Sequence, residues 1–263
     1  MSKTTILPKL FVLALLPALS SFAQTSTNDA PLIKDKNLEA AIRKFVLEKR
    51  DNDKPLTETD LSNLSTIQAN GKGIADLTGL EKCQNLASLD LADNNVADLR
   101  PLKTLSRLQY LNLANNQVKD IAPLGEIKAL QYIELSHNQV KNLRPLSTLT
   151  NLASLYLFHN RITEISPLLN LRKLSSLYLD NNRIKDVDGI GVLAGLSTLS
   201  LKNNLISDLS PLDGLNGLYY LFLENNEVRD LGPLVNMAKK DAAGEKRFAP
   251  FLKLYLDGNP IGS

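Results

Sequence analysis

Residues 108–129 read LQYLNLANNQVKDIAPLGEIKA, and residues 130–151 read LQYIELSHNQVKNLRPLSTLTN. The two segments share one 22-residue register, with apolar side chains at positions 1, 4, 6, 11, 14, 17 and 20. In the first copy these are Leu108, Leu111, Leu113, Val118, Ile121, Leu124 and Ile127. Neither a helical nor a strand period accommodates that set along its whole length, whereas one turn of a coil points all seven inward. The register recurs seven times without slippage over residues 86–239, with first-position leucines at Leu86, Leu108, Leu130, Leu152, Leu174, Leu196 and Leu218. A single coil buries little, but stacked coils share one continuous core, so the period predicts a solenoid.

The fixed polar positions read as scaffold. Asn94, Asn116, Asn138, Asn160, Asn182, Asn204, Asn226 and Asn259 stand at position 9, just past the L-x-L pair. An inward amide there can satisfy the backbone groups of the turn. Pro101, Pro123, Pro145, Pro167, Pro211 and Pro233 at position 16 hold φ on the return segment, and Gly79 and Gly189 stand in their place in two repeats.

The motif N-x-[IV]-x-D-[IL]-x-P-L in a 22-residue unit resembles the leucine-rich repeats of bacterial internalin type, over about residues 34–263. The resemblance implies an α/β leucine-rich repeat solenoid: a curved parallel β-sheet on the concave face, a mostly irregular or 3-10 convex side, and an α-helical N-terminal cap. Asp35-Lys36-Asn37-Leu38-Glu39-Ala40-Ala41-Ile42-Arg43 resembles the helical cap of secreted bacterial members, and Leu56-Thr57-Glu58-Thr59-Asp60-Leu61 the turn after it. Independently, Leu38, Ala41, Ile42, Phe45 and Val46 fall on one face of a helix expected over residues 35–50, with Asp35 as its N-cap. The expected organisation is a secretory signal peptide (1–23), a flexible leader (24–33), a helical cap (34–63), and eight repeats (64–239), the first degenerate. A charged insertion (240–250), expected as a solvated loop, and a terminal half-repeat (251–263) follow.

Lys3 and Lys9 precede an apolar run over residues 10–19, and Ser21-Phe22-Ala23 offers small residues to a signal peptidase. The run is too short for a bilayer span. We therefore expect cleavage after Ala23, export to the periplasm or the medium, and no integral membrane segment. Removing residues 1–23 takes two lysines and no acid, which leaves 28 basic and 28 acidic side chains. A neutral chain disfavours nucleic acid as a partner, since no concentrated basic face is implied. The single cysteine, Cys83, stands at the core position 20 of the first repeat and reads as a buried side chain.

No local motif assembles a nucleophile, a base and an orienting group, so no enzyme, cofactor or metal is expected. His137 and His159, the two histidines, share position 8 of adjacent repeats and should stack about 5 Å apart as exposed turn residues. The variable columns are positions 3, 5 and 7, which strand alternation turns outward on the concave face. Tyr110, Tyr132, Tyr156, Tyr178, Tyr220 and Tyr255 fall at positions 3 or 5, with Phe222 at 5 and Phe158 at 7. Adjacent strands should bring Tyr110 to Tyr132, Tyr156 to Tyr178 and Phe222 to Tyr255 as short aromatic ladders. Glu134, Asp180, Lys202, Glu224 and Asp257 add mixed charge to the same face. These eight aromatics are the expected site for a protein partner; a glycan, or self-association through the same face, is the alternative.

Overall fold

Each L-x-L pair centres a three-residue strand: β1 (Thr66–Gln68), β2 (Ser88–Asp90), β3 (Tyr110–Asn112), β4 (Tyr132–Glu134), β5 (Ser154–Tyr156), β6 (Ser176–Tyr178), β7 (Thr198–Ser200), β8 (Tyr220–Phe222) and β9 (Lys253–Tyr255). In the computed structural model, which describes Met1, residues 31–248 and residues 250–262, they form one parallel sheet in sequential order. Equivalent repeat positions pair, as in Tyr110 with Tyr132 and Leu111 with Ile133. At the end of the sheet Tyr220 pairs with Lys253, so the insertion is absorbed outside the strands. The expected signal peptide, its cleavage point and residues 24–30 of the leader lie outside the described residues.

The convex side returns through 3-10 turns. In five repeats the turn begins at position 15 with proline second, as in Arg100–Leu102 and Ser166–Leu168. The position-13 side chain starts it: Asp98, Asp120, Asn142 and Asp208 each accept a hydrogen bond from the backbone N–H two residues on, at 2.8–3.0 Å. Gly79 and Gly189 are not simple stand-ins for proline. They adopt left-handed φ of +107° and +79° and delay the 3-10 turn to Leu80 and Ile190.

The asparagine ladder satisfies the turns it follows. Asn138 Nδ2 donates to the carbonyls of Leu113 (2.8 Å), Leu135 (3.1 Å) and Ser136 (3.2 Å), while its Oδ1 accepts from Val118 N–H at 2.8 Å. Each amide thus ties its own coil to the preceding one. Position 8 has a second demand, absent from the sequence reading. Gly71, Asp93, Asn115, His137, His159, Asn181, Asn203, Asn225 and Gly258 all have positive φ, between +52° and +76°. Glycine, Asn, Asp and His are the residues that tolerate this conformation, and that is why the two histidines stand there.

The inward leucines, isoleucines and valines form one core cluster that includes Cys83. Burial pushes the Cys83 thiol up to about 12, with the charge of Glu81 adding to it. The cap departs from expectation at both ends. Helix α1 spans Lys36–Arg43 rather than running to residue 50. The chain reverses there, with Arg43 Nη1 donating to the carbonyls of Asn52 (3.2 Å) and Lys54 (2.7 Å), and a 3-10 turn at Leu47–Lys49 follows. Residues 56–61, expected as a turn, enter a short helix α2 (Glu58–Ser62) closed by a Thr57–Asp60 capping box.

Residues 31–33 are not a free leader. Ile33 is buried, and Lys34 N–H donates to Thr78 O at 3.3 Å. Asp35 caps α1 through Asn37 and Leu38 N–H and also accepts from Ala75 N–H (2.9 Å) and Asp76 N–H (3.2 Å) of the first coil. Burial pushes its carboxyl up, but these four donors outweigh that effect and hold it below its ordinary value.

The insertion is solvated over residues 242–247, as expected, but it is anchored at both ends. Its first residues complete helix α3 (Gly232–Ala243), which replaces the 3-10 turn of its repeat. Asp241 is buried and accepts from Arg247 N–H (2.9 Å) and Phe248 N–H (3.0 Å). That folds the segment back so that Phe248 joins the core.

Candidate functional site

Alternation along each strand sends positions 4 and 6 into the core and leaves positions 3, 5 and 7 on the concave face. There the rings meet as the register requires. Tyr110 and Tyr132 stack at 4.5 Å between centroids, Tyr156 and Tyr178 at 4.8 Å, and Phe222 and Tyr255 at 4.6 Å, all within 14° of parallel. A further contact was not read from the sequence. Tyr132 and Tyr156, in different columns on neighbouring strands, approach to 5.3 Å at 39°. This diagonal joins two pairs into a four-ring ladder, Tyr110–Tyr132–Tyr156–Tyr178.

Stacking leaves most of these rings half-buried, with Tyr220 and Tyr255 more exposed. Burial raises the pKa of Tyr110, Tyr132 and Tyr156, and the neighbouring phenol and carboxylate charges add to the rise at Tyr132. All three phenols are therefore neutral near pH 7. Phe158 lies apart from this ladder and meets His137 edge-on at 5.3 Å. His137 and His159 stack at 4.2 Å, a little closer than the strand spacing. Tyr219, at position 2, is exposed and sits 6.4 Å from Phe251, away from the ladder.

The charged side chains of the face are largely engaged with one another. Lys202 pairs with Glu224 at 2.9 Å and lies 4.6 Å over the Phe222 ring. Lys253 lies 5.1 Å over Tyr220. Asp180 accepts from Lys202 N–H at 2.8 Å and from the Ser200 hydroxyl. Burial raises the pKa of Asp180 and of Glu134. Ser200 was missed as a site residue, although position 5 read down the repeats places it alone between aromatics. Among the described residues, no group of three or more His, Cys, Asp or Glu side chains is placed to hold a metal ion, and no helix is long and apolar enough to cross a membrane.

Comparison with known proteins agrees with this architecture. The family model described as "Leucine Rich repeats (2 copies)" matches residues 84–126, 106–148 and 150–191, and a second leucine-rich repeat model matches residues 172–228. The chain is 31% identical to an internalin C2 from Listeria monocytogenes, with a TM-score of 0.76 over 86% of this chain and 94% of that one. A second Listeria monocytogenes internalin, inlF, is 29% identical, with a TM-score of 0.80 over 91% of this chain and 68% of that one. A leucine-rich repeat protein of Leptospira interrogans, 21% identical with a TM-score of 0.66 over 78% of this chain and 58% of that one, shares the fold. No curated protein matches the chain in sequence.

Proposed function

The chain belongs to the internalin-like leucine-rich repeat proteins, a fold that serves as a protein-interaction module, and on that premise we propose that it is an exported, non-catalytic protein that holds a protein partner on its aromatic concave face. The observation that carries this reading is the four-ring ladder from Tyr110 to Tyr178, continued after a gap by Phe222 and Tyr255. A row of rings locked by mutual stacking loses little freedom on binding, and aromatic side chains dominate the cores of interfaces. A contiguous row of aromatic rings on an open face is a contact site more often than decoration.

The ladder also weighs against a glycan. Sugars pack on the faces of aromatic rings, and here neighbouring rings cover most of one another's faces. Self-association through the same surface would give a two-fold dimer, which sedimentation at several concentrations detects.

The test is capture of partners from envelope or host extracts, with the combined Tyr156→Ala, Phe158→Ala and Tyr178→Ala variant as control. We expect the captured partner to bind that variant at least about 30-fold more weakly, the factor set by one interface anchor of ~2 kcal/mol. Binding equal to wild type overturns the assignment. For export, the secreted or periplasmic protein should begin at Gln24, and recovery there of chain still carrying residues 1–23 overturns that part.

A further inference from the structure

Read across the strands, position 5 of the concave face runs Tyr156, Tyr178, Ser200, Phe222, Tyr255. The rings on either side of Ser200 belong to stacked pairs, Tyr156–Tyr178 and Phe222–Tyr255, and Ser200 interrupts the row. Since β6 and β8 are separated by the single strand β7, Tyr178 and Phe222 stand about two strand spacings apart, ~9.6 Å. That distance is twice the 4.8 Å stacking separation of Tyr156 and Tyr178. The gap is a slot of about 280 Å³ bordered by Phe158, Tyr178, Asp180, Asn181, Ser200, Lys202 and Phe222. An apolar cavity of ~150 Å³ already holds a benzene ring.

We propose that this slot accepts one aromatic side chain of the protein partner, whose ring takes the missing place in the stack between Tyr178 and Phe222. The inference rests on the concave face being the binding face and names the chemistry of its central contact. Three observations select an aromatic ring. The spacing on both sides is that of ring stacking, and the incoming ring would meet Tyr178 on the side opposite Tyr156. Ser200 is only 1% exposed and its hydroxyl is spent on Asp180, so the floor is small and its polar group is satisfied. Lys202 pairs with Glu224 and lies over the face of Phe222 opposite Tyr255, so an incoming ring meets its ammonium on that side.

That ammonium can meet an incoming ring through a cation–π contact. A sugar would bring several hydroxyls to a slot where Ser200 already serves Asp180 and Lys202 already serves Glu224, and unmet hydroxyls are costly to bury.

The test uses the isotope-labelled full chain and N-acetyl-tryptophanamide as probe, followed by NMR and by indole fluorescence, which the protein itself lacks because it contains no tryptophan. N-acetyl-argininamide and N-acetylglucosamine serve as comparison probes. We expect the indole probe to shift the amide signals of Tyr178, Ser200 and Phe222 together, with the other two probes giving no such localised response. Ser200→Tyr, which fills the slot with its own ring, should weaken probe binding by about tenfold or more, the factor for two lost ring contacts.

Phe222→Leu, which keeps an apolar side chain but removes the aromatic wall, should weaken it too and guards against misfolding of the first variant. Scattered shifts, probe binding by both variants equal to that of wild type, or a stronger localised response to the arginine or sugar probe overturns the inference. Capture of the partner by Ser200→Tyr should fall in parallel with the probe. Undiminished capture by Ser200→Tyr overturns the slot alone, whereas undiminished capture by the triple alanine variant overturns the reading of the whole face.

Discussion

The ladder makes a prediction that needs no partner. Tyr156 has two ring neighbours, Tyr178 at 4.8 Å and Tyr132 at 5.3 Å, whereas Tyr178 has one. At ~0.5–1.5 kcal/mol per aromatic pair, Tyr156→Ala loses about 1–3 kcal/mol and Tyr178→Ala about 0.5–1.5 kcal/mol in stacking alone. The pair they share is counted in both single variants but only once in the double. The double-mutant cycle should therefore return a coupling of ~0.5–1.5 kcal/mol. The built-in control is Tyr178→Ala with Phe222→Ala. Ser200 separates those rings, so their effects should add to within ~0.5 kcal/mol.

Equilibrium urea unfolding of the six proteins, followed by circular dichroism, measures all of these terms. A Tyr156/Tyr178 coupling indistinguishable from that of Tyr178/Phe222 would refute the stacked ladder and the interrupted row together. By the same arithmetic, alanine at these outward positions lowers the melting temperature as well as the affinity. Because the rings stabilise one another, lost affinity in the triple variant must be read against a lowered stability.

Asn138→Ala should destabilise by about 1–3 kcal/mol in the same assay, because it leaves the buried Val118 N–H without its acceptor, while the Leu113 and Leu135 carbonyls keep Asn116 and Asn160 as donors. Asp35 has a folded pKa below its ordinary value, so its contribution is complete above the unfolded carboxylate range and is lost as pH falls through the lowered folded value. Asp35→Asn should accordingly cost stability at pH 7 and flatten the acid limb of the stability curve, and an unchanged acid limb would count against the cap's tie to the first coil. Gly79→Ala should cost at least about 1–2 kcal/mol from its left-handed backbone, with a further cost because the new Cβ would lie 2.0 Å from the Leu32 carbonyl oxygen; a melting temperature equal to wild type would refute this. Cys83, buried and with its thiol pushed up to about 12, should resist thiol reagents in the native state and react only on unfolding.

In a solenoid, the spatial neighbours of a residue are its own repeat position one period away, so a one-dimensional register already specifies contacts in three dimensions. The core, the Asn ladder and the three ring pairs Tyr110–Tyr132, Tyr156–Tyr178 and Phe222–Tyr255 were legible for that reason: each needs only the 22-residue spacing and strand alternation. What tertiary structure decided lies where contacts leave the register. The burial of Ile33 and the reach of Asp35 to Ala75 and Asp76 join segments with no period between them. Asp241 draws the insertion inward through two backbone N–H groups, so a segment that is charged by composition ends with Phe248 in the core. The diagonal from Tyr132 to Tyr156 depends on ring orientation across two columns. The slot at Ser200 depends on which partners the neighbouring polar side chains take, Ser200 donating to Asp180 and Lys202 pairing with Glu224. Register fixes which backbones are adjacent, but the directions of long polar and aromatic side chains are settled by competition among all their neighbours at once, and only the assembled face presents those neighbours.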